Sequence, residues 1–296
     1  MRPSLKKLMI LNKNLTIVIV LYDSSNLIFK CLEKLNNFNI LIVDNGKNSF
    51  VIEELKKYKN IKKIISKNKN LGFGNGVNFA FSYIKTEHFL VLNPDLIIDE
   101  RSIKELLKTA QEDKNCAISA PLILTDKDSY GTLPEKWKQL STKLVKKDRL
   151  QIIQKKKPSG NICVDVTKGC ALLINSKHFR DVGMFSKEYF LFWEEVDLCR
   201  KFLNKKLSVI VCPNATALHK EGSSGRNNIN KFIIRTFYSE KSPLYYFGVK
   251  RLTVGIYYKM IKYLFRTVSY LLILNVKNSL KNLIRLLAIL SFIFYK

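Results

Sequence analysis

Three carboxylates, Glu194, Glu195 and Asp197, crowd one short stretch directly behind the aromatic residues Tyr189, Phe190, Phe192 and Trp193. Like charges packed beside apolar rings have pKa values raised toward the range of a general base, and aromatic walls suit the faces of sugars or lipids. The helix dipole also favours acids at a helix start, so catalysis and plain capping both remain open for this stretch. A second group, Asn93-Pro94-Asp95, closes a run of hydrophobes. Pro94 cannot continue a central ladder, so the chain turns there and presents two polar side chains. The carboxylate can hold Mg²⁺ or Mn²⁺ against a substrate diphosphate, or cap the next turn. His219 follows the last apolar run and precedes Gly222-Ser-Ser-Gly225, and is the one histidine placed like a ligand; His88 and His178 read as surface or packing residues. The run Asn70-Leu-Gly-Phe-Gly-Asn-Gly76 offers bare amides and a helix start to an anion. It lacks both the GxGxxG spacing of a dinucleotide site and the GK[ST] of a P-loop, and it also reads as a plain tight turn.

These groups need a scaffold that brings distant stretches to one edge. The first 120 residues alternate β-branched runs with helical patterns, the signature of βαβ units and a largely parallel sheet. Strands are expected over 16–22, 39–45, 61–66 and 89–95, with helices over 27–35, 51–58 and 77–84 between them. Ligands of such sheets bind beyond the carboxyl ends of the strands, so Asp44 and Asp95 should face one crevice. A helix over 103–110 and a short strand near 117–120 follow. The segment 125–160 then turns polar and lysine-rich and reads as a loop with one helix in it. Order should resume over 164–174, with a helix over 176–182, another entering at Glu194 with Val196, Cys199, Phe202 and Leu203 as its stripe, and a last strand over 207–212.

Composition narrows the class. The 296 residues, 47% hydrophobic and 25% charged, can bury a core and exclude disordered, collagen-like and disulfide-stapled chains. The six cysteines form no CxxC pair and sit among apolar neighbours, as free thiols of a reducing interior do; with three histidines a structural zinc site is disfavoured. A net charge of +27 calls for an anionic partner: nucleic acid, an acidic lipid surface or a phosphorylated substrate. The apolar run at 15–22, preceded by lysines and followed by Asp23, reads as a buried strand rather than a leader. No stretch of about 18 apolar residues is present to form a transmembrane helix.

From Ile229 onward twelve Lys and Arg oppose a single acid, Glu240. They are interleaved with Phe232, Phe237, Tyr245, Tyr246, Phe247, Tyr257, Tyr258, Tyr263, Phe265 and Tyr270. An amphipathic helix at an anionic bilayer has this composition, with rings at the interface and bases on lipid phosphates; a basic helical cap on the core is the alternative. The expected division is therefore a domain over 1–228 and a basic, helical C-terminal tail over 229–296.

Taken in order, the stretches IVIVLYDSS, ILIVDNG, NKNLGFGNGVN, FLVLNPD, VDVTKGCALLI, VGMFSKEYFLFWEEVDLCRK and ALHKEGSS resemble the inverting, nucleotide-sugar-dependent family 2 glycosyltransferases of GT-A fold. The likeness is closest to the rhamnosyltransferase-like branch that builds bacterial surface polysaccharides. The resemblance implies an α/β GT-A fold, a mostly parallel Rossmann-like sheet flanked by helices, with the basic helical appendage behind it. It implies that Tyr22 and Asp44 line the nucleotide pocket, that Asn70 and Gly72 border the ribose and diphosphate, and that Asn93 stands at the first position of the family's DxD. Asp95 would bind Mg²⁺ or Mn²⁺ and His219 would complete the metal shell. Glu195 would be the catalytic base, flanked by Glu194 and Asp197, and Trp193 would meet the acceptor. The chain departs from the family in having Glu195 where Asp is usual, and Ser186-Lys187 where Asp-Glu is usual.

The function so implied is an in-line transfer of a sugar, with L-rhamnose from dTDP-rhamnose preferred, to a lipid-linked saccharide acceptor. The enzyme would be cytoplasmic and peripheral on the inner face of the plasma membrane, held to anionic lipid by its tail, with no nucleic-acid partner. A UDP-hexose or UDP-galactofuranose is the alternative donor. From other classes, a non-catalytic basic nucleic-acid-binding protein and a nucleotidyltransferase or dinucleotide enzyme compete.

Overall fold

The computed structural model describes residues 15–22, 27–46, 49–124, 159–219, 229–248 and 253–294. Most of the polar segment expected to be a loop, and the glycine-serine stretch behind His219, lie outside the described residues. The chain forms two compact units. One is built on a sheet; the other gathers Lys187–Trp193 with the C-terminal helices.

The sheet unit opens with β1 (Leu15–Leu21), α1 (Leu27–Leu32), β2 (Asn39–Asp44), α2 (Ser49–Leu55), β3 (Ile61–Ser66), α3 (Phe73–Phe81) and β4 (His88–Leu92). It continues with β5 (Leu96–Ile98), α4 (Glu100–Glu112), β6 (Cys116–Leu124), β7 (Ile162–Cys163), β8 (Ala171–Asn175), α5 (Ser176–Asp181), α6 (Glu194–Asn204) and β9 (Ser208–His219). The strand order is β3-β2-β1-β4-β8-β6-β9-β5, with β7 on β9. The first four strands run parallel, as the alternating pattern requires. Beyond β4 the sheet is mixed: β8 is antiparallel to β4 and β6, β9 is parallel to β6, and β5 and β7 are antiparallel to β9.

Strand β1 is buried on both faces, so its run of β-branched residues feeds two cores at once. Ile17, Ile19 and Leu21 join one cluster with Ile28, Leu32 and Leu106, while Val18 and Val20 join the other with Val77, Phe179 and Phe202. The alternation follows from the two-residue period of a strand. Helix α4 starts where Asp99 accepts from the Ser102 amide at 2.7 Å, which satisfies one of the open N–H groups of its first turn.

Strand β9 departs from expectation. It does not stop at Cys212 but runs to His219. Its register against β6 jumps between Pro121, opposite Cys212, and Leu122, opposite Thr216. Pro213 has no N–H to give the ladder, so the pairing breaks and resumes beyond a bulge. That resumption sets His219 opposite Leu96 of β5.

In the second unit α7 (Ile229–Tyr246), α8 (Val254–Leu272) and α9 (Val276–Phe294) pack around Leu244, Ile256, Tyr263, Ile289, Phe292 and Ile293. Glu240 is buried among them and accepts from the Tyr263 hydroxyl at 2.8 Å and the Lys259 ammonium at 2.9 Å. The segment ahead of α6 belongs to this unit: the rings of Phe190 and Tyr238 stack 4.4 Å apart, and Ser242 donates to the Leu191 carbonyl at 2.8 Å.

Candidate functional site

Parallel pairing puts the ends of β1, β2 and β4 at one edge. Leu21 lies opposite Asp44, and Ile19 opposite Leu92. Tyr22, Asp44 and Asn93 therefore emerge together, at the edge where ligands of such sheets bind. Asp44 accepts from the Gly46 amide at 3.0 Å, and its carbonyl accepts from the Ser66 hydroxyl.

The glycine-rich turn is tied to this edge by a residue that motif reading passed over. Asn45 is buried, donates to the Gly72 carbonyl at 2.7 Å and accepts from the Leu71 amide at 3.5 Å. Its signal was its place directly behind Asp44 at a strand end. Gly72 holds φ 80°, a left-handed value that costs a glycine nothing, and its amide is already taken by the Asn70 side chain at 2.9 Å. Asn70 thus shapes the turn before it can meet a ligand. Asn78 locks the same helix to the later chain, donating to the Phe185 carbonyl at 2.8 Å and accepting from the Phe185 amide at 3.1 Å.

Past β4 the Asn93 amide bonds the Cys170 carbonyl at 2.9 Å, and the Leu96 amide turns back to the Asn93 carbonyl. The tight turn buries Asp95 and aims it at β9. His219 Nε2 lies 3.3 Å from Asp95 Oδ1 with no hydrogen bond between them. Neither ring nitrogen of His219 has a hydrogen-bond partner among the described residues. Adjacent ligands of an octahedral Mg²⁺ at about 2.1 Å stand about 3 Å apart, so an oxygen and a nitrogen at this spacing fit one divalent cation. No group of three or more metal-binding side chains occurs among the described residues. A cation here would take its other positions from substrate oxygens and water.

The carboxylate helix α6 begins at Glu194. Burial first, and the neighbouring Glu195 second, hold the Glu194 carboxyl well above the usual range. Its Oε2 has no hydrogen-bond partner among the described residues. Burial also raises Glu195, which is only partly covered. Burial thus favours the protonated form of both carboxyls, more strongly at Glu194 than at Glu195. Asp197 is engaged otherwise: it accepts from the Ser186 hydroxyl at 2.6 Å and pairs with Lys201 at 3.4 Å, and Lys201 also reaches the Met184 carbonyl. Ser186, where the resembled family has an acid, is thus a brace on the carboxylate helix.

Gly169, inside the stretch VDVTKGCALLI, is a second residue that motif reading missed. A Cβ there would lie 3.2 Å from Glu195 Cβ and 3.4 Å from its carboxyl carbon, so the missing side chain is what lets the Glu195 chain lie across the backbone. Next to it the Cys170 thiol is pushed up to about 12, by burial first; Lys168 opposes, and the carboxylates of Asp95 and Glu195 add to the rise. One thiol thus lies within electrostatic reach of both acids.

The remaining histidines pack. His88 is buried at the start of β4, 3.4 Å from the Asn175 amide, and burial lowers its pKa; His178 Nε2 lies 3.1 Å from the Lys114 carbonyl. Trp193 belongs to the helical unit, with Tyr246 at 5.0 Å and Phe247 at 5.3 Å between ring centres. Phe192 and Trp193 hold φ 67° and 72°, a consecutive left-handed pair directly ahead of Glu194.

Residues 16–175 match the sequence profile of glycosyl transferase family 2. Among curated proteins the chain is 26% identical over 223 residues to the low-salt glycan biosynthesis hexosyltransferase Agl10 of Haloferax volcanii, covering 70% of this chain and 67% of that one. It is 27% identical over 232 residues to rhamnosyltransferase WbbL of Escherichia coli, covering 73% and 86%. Among solved structures GalNAc-T7 with UDP, GalNAc and Mn²⁺ matches with TM-score 0.56 at 11% identity, over 78% of this chain and 50% of that one. Mannosyltransferase PcManGT of Pyrobaculum calidifontis with GDP-Man and Mn²⁺ matches with TM-score 0.53 at 12% identity, over 76% and 61%. The likeness in structure establishes the GT-A fold.

Proposed function

Because the chain belongs to glycosyl transferase family 2, we propose that it is an inverting, metal-dependent enzyme that moves L-rhamnose from dTDP-rhamnose to a lipid-linked saccharide in surface-polysaccharide synthesis. The sugar is argued from WbbL, a rhamnosyltransferase by name. The observation that carries the chemistry is the approach of His219 to Asp95 at 3.3 Å, with Glu195 within electrostatic reach of the same Cys170 that feels Asp95. In this reading Tyr22, Asp44 and Asn93 take the nucleoside, while Asn70 and Gly72 shape the turn that borders the diphosphate. Asp95 and His219 would hold Mg²⁺ or Mn²⁺, which supplies charge to offset the departing diphosphate.

Glu195 accepts the proton of the acceptor hydroxyl as that oxygen attacks the anomeric carbon. The new C–O bond forms as the bond to the diphosphate breaks, the nucleoside diphosphate leaves with the electron pair, and the anomeric configuration inverts. Burial raises Glu194 further than Glu195, so Glu195 is the member of the pair that gives up its proton first. Trp193 lies next in the chain to these acids and would meet the acceptor. A lipid-linked acceptor stays in the membrane, so the enzyme works as a peripheral protein on its cytoplasmic face, with the basic tail on anionic lipid and no nucleic-acid partner.

Calorimetric binding of dTDP, UDP and GDP, with and without Mn²⁺, to the wild type and to Asp95→Ala tests this reading. Binding of dTDP that requires both Mn²⁺ and Asp95 supports it. Binding of UDP under the same conditions moves the donor to a UDP-hexose or UDP-galactofuranose. Salt-sensitive nucleic-acid binding that ignores Asp95, with no nucleotide binding, overturns it.

A further inference from the structure

Helix α8 is apolar on two opposite sides. Its inner side, with Ile256 and Tyr263, packs into the small core of the helical unit. On its outer side Tyr257, Ile261, Leu264, Phe265, Val268 and Leu272 recur at spacings of three and four, and each is at least half exposed. The stripe runs into the turn before α9 and the first residue of that helix: Ile273, Leu274 and Val276 are also exposed, Leu274 to 84%. Exposed apolar residues scattered singly are ordinary on a soluble protein; a contiguous row of them bordered by polar residues marks an interaction surface.

The charge around the face selects its occupant. Lys262 and Arg266 border the stripe on one side and Lys277 lies just beyond its tip, whereas the tail holds one acid, Glu240, and that acid is buried on Lys259 and Tyr263. A second copy would bring the same cations against these, in a chain of net charge +27, while an anionic bilayer supplies acyl chains for the stripe and phosphates for its border. No helix among the described residues is long and apolar enough to cross a membrane, so α8 would lie in the interface rather than span it.

The structure also narrows the sequence-based expectation, which spread interfacial rings along the whole tail. Tyr245 and Tyr246 of α7 lie against Phe292 and Trp193, Tyr246 and Tyr263 are buried, and Tyr238 stacks on Phe190. These rings hold the unit together. We infer that the outer face of α8, with the turn into α9 as its tip, is the surface that inserts in the plane of an anionic bilayer. The inference deepens the reading of a membrane-held acceptor and rests on that reading for its purpose, though not for its evidence.

The test is co-sedimentation of the full chain with vesicles of phosphatidylglycerol and phosphatidylethanolamine, or of phosphatidylcholine alone. It is run for the wild type, for Phe265→Ser/Leu272→Ser, and for Ile233→Ser on an exposed position of α7. Each large apolar side chain withdrawn from water is worth about 1.5–3 kcal/mol when fully buried, so the double variant is expected to lose at least about tenfold in partitioning to anionic vesicles. Ile233→Ser should match the wild type, and phosphatidylcholine should bind at least about tenfold less, as the loss of a few basic contacts implies.

Equal partitioning of the double variant, or indifference to headgroup charge, overturns the inference. So does a wild-type dimer in analytical ultracentrifugation that the double variant abolishes while vesicles bind neither; that result makes the face a copy-to-copy interface. Should the double variant lose its helical circular dichroism, Leu264→Trp and separately Ile233→Trp replace it, each read as the fluorescence added to that of the native Trp137 and Trp193. Bromine on the acyl chains should quench the first and spare the second, and the reverse overturns the inference. The vesicles contain no acceptor and no donor is added, so this outcome is independent of the calorimetric test of the transferase site.

Discussion

In the sheet unit the largest apolar side chains, among them Phe179, Phe185 and Phe202, are fully buried, and polar side chains gather at the strand ends. In the helical unit the distribution turns over: Phe265 and Leu272 are exposed to 72% and 79%, and the polar side chain of Glu240 is buried. On the proposed reading, the filled core with acids at its rim holds the polar donor, and the small core under a large apolar surface meets the bilayer. The proposal thus assigns chemistry and membrane contact to separate units.

The first way to break that contrast is Glu195→Gln. If the chemistry sits wholly in the sheet unit, transfer should fall on the order of a thousandfold in kcat with little change in donor KM, measured by single-turnover and steady-state kinetics. Asp95→Ala should lower kcat/KM on the order of a hundredfold and remove the Mn²⁺ dependence of dTDP binding, read by calorimetry. On the other side of the contrast, Glu240→Ala strands Lys259 and the Tyr263 hydroxyl. It should destabilise the helical unit by about 2 kcal/mol, less than a fully buried pair because Lys259 reaches solvent, and leave donor binding unchanged in the same preparation. Gly169→Ala sharpens the picture of the site: crowding Glu195 by a few tenths of an ångström should cost about tenfold in kcat and spare Mn²⁺-dependent dTDP binding.

The smallest effect is on pH. Glu194 and Glu195 bind protons more tightly in the folded chain than at their ordinary value of 4.5. The folded state then holds more protons than the unfolded one from that value up to the raised pKa values, so stability falls as pH rises through this window. Glu194→Gln should flatten the fall, as followed by thermal melts. The acidic limb of the rate profile should lie above the usual carboxylate range, because Glu195 must lose its proton to act.

Much of the sheet unit was legible because parallel strands buried on both faces must be written in β-branched residues; β1, β2 and β4 appear where such runs stand. The mixed half was less so, since strands shared between parallel and antiparallel neighbours carry no distinct pattern, and β9 was cut short at a proline that the sheet passes by a bulge. Asp95 and His219 stood out as residue types at strand ends, but their approach is a matter of register that spacing does not state. Gly169 and Asn45 carry no chemistry of their own; each matters through a neighbour that only the fold supplies. In the tail the sequence contains the right composition without its direction. Tyr246 and Tyr258 look alike in a list of aromatics, yet one is buried and the other exposed.

The bulge in β9 has a consequence in parity. Between Cys212 and Thr216 the strand carries three residues that β6 does not match, an odd surplus. Ile210 and Cys212 ahead of the bulge and Ala215 and Ala217 beyond it join one core cluster, so the side that faces this core passes from even-numbered to odd-numbered residues there. Strict alternation through 213–215 would give that side to Leu218; the interruption gives it to His219, opposite Leu96 of the same cluster. Residues 213–215, none of them charged, thus choose which of two neighbouring side chains comes to Asp95.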